Sequence, residues 1–139
     1  MVDIHIGYTG ELRCEAKHGP SAAVFHTDAP KDNHGKGESF SPTDLVATGL
    51  GTCMITVMGI LARSRGYDLG GTRIHVKKHM TASPPRRIAR LEVTLSIPDQ
   101  VAANLDGQQR LDLEEAAHTC PVRLSLLPAI EVPVSFSWG

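Results

Sequence analysis

The chain has 139 residues, a single-domain length, with 41% apolar but only 4% aromatic residues, so its core must be aliphatic. With 14 basic against 15 acidic residues the net charge is −1, which excludes the basic field that a nucleic-acid or membrane-surface binder needs. The start, Met-Val-Asp-Ile-His, lacks a basic segment followed by an apolar run, so a cytoplasmic protein is expected. There, 3 cysteines are read as buried, redox or catalytic thiols rather than as a disulfide framework.

In chain order, Ile4, Ile6 and Tyr8 alternate with polar neighbours, and Leu12, Cys14 and Ala16 alternate with Glu11, Arg13, Glu15 and Lys17. Both are period-2 strand patterns. His18-Gly19-Pro20 marks a turn, and residues 22–28 suit a third strand, so three hairpin-linked strands are expected. Residues 29–41 are polar and read as a loop. A helix follows, with Ser41 as N-cap, Pro42 in the first turn and Asp44 at N3, an S-x-x-D capping box, and Gly66 as the terminator after Arg65.

Residues 45–62 carry no charge, the lower length limit for a membrane span. Thr48, Thr52, Thr56, Gly49, Gly51 and Gly59 interrupt the run, which favours a helix buried within protein. Leu50, Cys53 and Val57, with Ile60 or Leu61, form its expected apolar stripe. So small a chain has little material to cover such a helix, and a homodimer is expected to help. Downstream, Ile74, Val76 and Met80 suggest a strand, Pro84-Pro85 a break, and residues 90–97 the clearest strand of all. Short helices are expected over 99–106 and 108–120, stopped by Pro121. A last strand is expected over 130–138, with Pro133 suiting an edge. The expected fold is α+β, one domain over 1–139, with antiparallel sheets around a long central helix.

Two thiols stand out. Cys53 sits mid-helix, beyond reach of the helix dipole, so a reactive thiolate there needs a cation from elsewhere. A small packing residue is the other reading of such a cysteine. Cys120 lies in His118-Thr119-Cys120-Pro121, at a helix end where a thiol is free to move. Cys14 is read as core. His118 and Cys120 make a possible metal pair without a suggestive third ligand, so neither a metal nor another cofactor is expected. The cluster Arg86-Arg87-Arg90 is read as solvated surface.

The segment Phe40-Ser-Pro-Thr-Asp-Leu-Val-Ala-Thr-Gly-Leu-Gly-Thr-Cys53, with Ala117-His-Thr-Cys-Pro121 far downstream, resembles the OsmC/Ohr family of thiol-dependent peroxidases and their relatives. The resemblance covers the whole chain. It implies an intertwined homodimer with active sites at the subunit interface, Cys53 as peroxidatic thiol and Cys120 as resolving thiol. It also implies an organic hydroperoxide as substrate and a dithiol, such as a dihydrolipoyl group, as reductant. Family members activate the thiolate with an Arg from the N-terminal strands and a Glu after the motif proline. Arg13 is the only Arg before residue 63 and takes the first role. Thr43 replaces the Glu, which leaves Glu38 and Asp44 as substitutes, with His118 as a further supporting group. The alternative is a non-catalytic or redox-sensing dimer that binds a small apolar ligand.

Overall fold

The computed structural model describes residues 1–139. The N-terminal alternation builds a three-stranded antiparallel sheet of β1 (Ile4–Gly10), β2 (Arg13–His18) and β3 (Val24–Asp28), in that order. Its register pairs Ile6 with Ala16, Tyr8 with Cys14 and Ala16 with Phe25, so these share one face. Arg13, Glu15, His26 and Asp28 occupy the other. Leu12, expected in the strand beside Cys14, is instead a turn residue. Glu11 and Leu12 have φ of 52° and 63°, the left-handed pair that a two-residue hairpin loop demands. Cys14 itself is half-buried.

The loop after β3 contains a 3₁₀ turn at Lys31–Asn33 and folds back on itself through Gly35 N–H to Pro30 O at 3.0 Å and Gly37 N–H to Ala29 O at 3.1 Å. A Cβ on Gly35 would lie 1.7 Å from Ala29 O, so only glycine fits there. Helix α1 (Pro42–Ser64) then starts at the expected capping box. The Ser41 N–H donates to Asp44 Oδ2 at 2.8 Å, and the Asp44 N–H donates to Ser41 Oγ at 3.2 Å. It ends in a Schellman motif, with Tyr67 N–H to Ala62 O at 2.8 Å, Gly66 N–H to Arg63 O at 3.2 Å, and Gly66 at φ 81°.

The chain divides into two compact units, Met1–Val46 and Ala47–Gly139, with the boundary inside α1. In the second unit β4 (Arg73–Met80) pairs antiparallel with β5 (Ile88–Ile97), and β5 pairs with β6 (Val134–Trp138). The β5–β6 pair is parallel, so this sheet is mixed rather than antiparallel. The reason is the long crossover between them, which carries α2 (Asp99–Ala102), α3 (Gly107–His118) and α4 (Pro121–Ser125). Pro121 does not end helical structure; it ends α3 and opens α4, where its missing N–H has no cost. The last strand is shorter than expected. Glu131 makes only an isolated bridge with Arg90, while the Pro133 carbonyl accepts Val93 N–H at 3.0 Å on the expected edge.

Leu91, Val93 and Leu95 of β5 are fully buried and form the middle of the core. Helix α1 presents Ala47, Leu50, Gly51, Met54, Met58 and Ala62 to it, a stripe at helical spacing. Each fully buried Leu or Met there contributes about 2 kcal/mol of apolar transfer. The expected stripe was misphased: Cys53 and Val57 flank the buried face, and Ile60 is 65% exposed. Mean hydropathy reaches 2.0, and α1 is the one helix long and apolar enough to cross a membrane, with 33% of its most apolar window buried. Gly51 lets the helix approach β4, because a Cβ there would meet Val76 Cγ2 at 2.9 Å and Ile74 Cγ2 at 3.1 Å.

Candidate active site

In the N-terminal unit, strand alternation puts Arg13 and Asp28 opposite each other on one face. Arg13 Nη2 donates to Glu38 Oε2 and lies 3.4 Å from Asp28 Oδ2. Asp28 is 2% exposed, and the same Oδ2 accepts the Glu38 N–H at 3.0 Å. Asp28 therefore ties the loop to the strand and places the Glu38 side chain on the guanidinium. The Glu38 N–H, supported by the charge of Arg13, holds the Asp28 carboxyl below its usual range despite its burial. The bond to Glu38 and the charge of Asp28 hold the Arg13 guanidinium above its own. Arg13 Nε is buried without a hydrogen-bond partner, one donor of the fork left uncommitted.

In the second unit, α1 carries Cys53 at the rim of the core and the end of α3 delivers Cys120 into it. Cys120 has 0% exposure, Cys53 is half-buried, and both thiols are free. Both pack in or against the same core cluster, and Cys53 is near enough to Cys120 to raise its thiol. Cys120 Sγ also caps α4 by accepting the Arg123 N–H at 3.4 Å. Burial pushes the Cys120 thiol up, and the neighbouring Cys53 adds to that, while the Arg123 N–H opposes it. Two free thiols at one core can close to a disulfide where their Cα and Cβ separations allow it.

Of the expected supporting groups, Glu38 accepts a hydrogen bond from Arg13. Asp44 is used in the capping box with Ser41. His118 and Phe136 form a T-shaped ring pair, with centroids 6.0 Å apart. Two participants escaped the sequence reading. Asp28 could have been found from the β2–β3 register, which sets it directly opposite Arg13 on the polar face. Arg123 acts through its backbone N–H, for which the side chain gives no signal.

Residues 35–135 match the family model described as OsmC-like protein. Among solved structures, a protein proposed to be an osmotic stress induced and detoxification response protein of Psychrobacter arcticus is 40% identical, with a TM-score of 0.89 and 98% of this chain and 96% of that one covered. An organic hydroperoxide resistance protein OsmC of Legionella pneumophila shares the fold at 16% identity and a TM-score of 0.75, covering 99% and 96% of the two chains. An organic hydroperoxide resistance protein of Elizabethkingia anophelis does so at 21% and 0.76, covering 100% and 96%. Among curated proteins no relative matches. The α+β architecture thus agrees with the matched family, which includes organic hydroperoxide resistance proteins, and the chain belongs to the OsmC family.

Proposed function

We propose that the protein is a thiol-dependent reductase of organic hydroperoxides. The observation that carries the reading is the placement of two free thiols, Cys53, half-buried, and Cys120, fully buried, at one aliphatic core. The Cys53 thiolate attacks the outer peroxide oxygen; the O–O bond breaks, the alcohol leaves with a proton, and Cys53 becomes a sulfenic acid. The Cys120 thiol attacks that sulfur and water departs, which leaves a disulfide. A dithiol, of the dihydrolipoyl kind, returns both residues to thiols. The apolar surroundings of Cys53 suit an alkyl tail better than hydrogen peroxide. In this reading Arg13 is the cation that favours the thiolate, with Glu38 as its support.

A homodimer belongs to the same proposal. Ile4, Ile6, Tyr8 and Phe25 share one sheet face and are 60%, 68%, 67% and 48% exposed, far more apolar surface than a lone sheet normally leaves to water. Ile60 and the threonine face of α1 are exposed as well. A second copy of the chain is the proposed cover, in a cytoplasmic protein. The test of activity is consumption of cumene hydroperoxide with dihydrolipoamide as reductant: the wild type consumes it and Cys53→Ser does not. Equal rates for the two would end the assignment. A second reading, a redox-sensing module without turnover, is favoured by one observation, that two carboxylates already engage Arg13. A Cys53 thiol that titrates near the free value of about 8.5 would support it.

A further inference from the structure

We infer that Asp28 is a second seat for the Arg13 guanidinium, held half-open by Glu38, so that two carboxylates compete for one cation and the Glu38 side chain decides where it lies. The inference concerns side chains of the N-terminal unit only. It goes beyond the proposed peroxidase and does not rest on it.

A half-made fork carries the inference. On a guanidinium, Nε–H and one Nη2–H point from the same edge, and a facing carboxylate takes both in parallel. Register sets Asp28 directly opposite Arg13, and the Nη2 side of that fork is present, 3.4 Å from Oδ2. The other side is open: Arg13 Nε and Asp28 Oδ1 are both buried, and neither has a hydrogen-bond partner. One orphaned donor and one orphaned acceptor thus remain on two side chains that already meet. Leaving both unpaired in a buried place is costly, so something opposes closure. Glu38 supplies that pull, because its Oε2 takes the same Nη2 in a shorter bond.

The two seats differ in kind. The Glu38 side chain is 62% exposed, where water screens an ion pair and leaves it weak. Asp28 is 2% exposed, where a charge-assisted pair is stronger, and its Oδ2 is fixed by the Glu38 N–H at 3.0 Å. That N–H belongs to the backbone, so the loop stays anchored when the Glu38 side chain lets go. Release of one exposed carboxylate is then enough to turn the guanidinium inward, close the fork and neutralise Asp28. Glu38 presents Arg13 and Asp28 withdraws it, which makes Asp28 a positioning residue for that cation.

The test uses the full chain with Glu38→Gln, a change at an exposed side chain that spares the backbone N–H. Arginines are labelled with p-hydroxyphenylglyoxal, and peptide mapping reads the rate at Arg13. A cation with no second seat is freed by losing Glu38, and its labelling quickens. With Asp28 behind it, labelling of Arg13 slows by about threefold or more, and adding Asp28→Asn to Glu38→Gln brings it above the wild-type rate. A crystal structure of Glu38→Gln should show Nε within about 3.2 Å of Oδ1. Faster or unchanged labelling in Glu38→Gln alone overturns the inference, whether or not the double variant folds. So does a water that bridges Nε and Oδ1 in the wild type and the variant alike. No readout involves a thiol or a peroxide, so failure of the peroxidase assay and failure of this inference are separate results.

Discussion

Replacing Gly51 with alanine sets two known effects against each other, and the structure says which wins. Alanine is worth about 1 kcal/mol more than glycine in a helix interior. Against this, the new Cβ would sit 2.9 Å from Val76 Cγ2 and 3.1 Å from Ile74 Cγ2, where ordinary contact begins at 3.4 Å. Both neighbours are β-branched and stiff at χ1, so neither methyl swings away cheaply. They belong to β4, which is held along its length by β5, so the strand cannot retreat alone. Overpacking of this kind costs about 1–3 kcal/mol and more where two contacts are compressed at once. We expect Gly51→Ala to destabilise by a net 1–2 kcal/mol or so. Urea titration followed by circular dichroism reads this as a lower midpoint at unchanged slope. Gly107→Ala, at a helical glycine with nothing within 4 Å of the added Cβ, is the control and should be neutral or stabilising by up to about 0.5–1 kcal/mol. If Gly51→Ala matches or exceeds the wild type, the close approach of α1 to β4 is not a constraint and the reasoning fails.

Three further predictions concern the N-terminal unit. Leu12→Gly should raise stability by about 1 kcal/mol, read as a higher Tm, because Leu12 holds φ 63° with its side chain 47% exposed; an unchanged Tm would mean the turn carries no strain. Asp28 titrates below its usual range when folded, so its stabilising contribution is full above the unfolded value of about 3.9 and is lost as pH falls through the folded one. Asp28→Asn should therefore lower stability at neutral pH and flatten its acid decline below about pH 4; parallel melting curves for the two proteins across that window would refute the pairing. Ile6→Glu together with Tyr8→Glu places charge on the exposed apolar face, and sedimentation velocity should show a dimer for the wild type and a monomer for the variant; a wild-type monomer would remove the proposed cover.

Much of this fold is legible in the sequence because its signals are local. The capping box at Ser41 and Asp44, the Gly66 terminator and the alternation through β5 each state their structure within a few residues. The errors share a cause too. Leu12 reads as a strand residue because the two turn positions themselves hold Glu11 and Leu12, neither a turn former, and the one local marker, Gly10, lies just before them. The phase of α1 is not legible because a helix apolar on most sides has no polar face to fix the stripe, and Met54 and Met58 take the place expected of Cys53 and Val57. The parallel β5–β6 pair depends on where a long crossover returns, which no window contains. At the site, Cys53 and Cys120 are singled out by motif context, Arg13 as the only Arg before residue 63, and Glu38 as one of two substitutes for a missing Glu. Asp28 and the Arg123 N–H are not, since one acts through register and the other through backbone.

The sulfur of Cys120 has one consequence for how variants of this protein should be read. As the cap of α4 it serves as an acceptor, and a sulfur keeps its lone pairs whether it is a thiol or half of a disulfide. The first turn after α3 would therefore keep the same anchor if Cys120 were oxidised to a disulfide. Replacement by serine retains an acceptor at the cap, while replacement by alanine removes the anchor along with the thiol. A difference between those two variants measures architecture, and only what they lose in common measures chemistry.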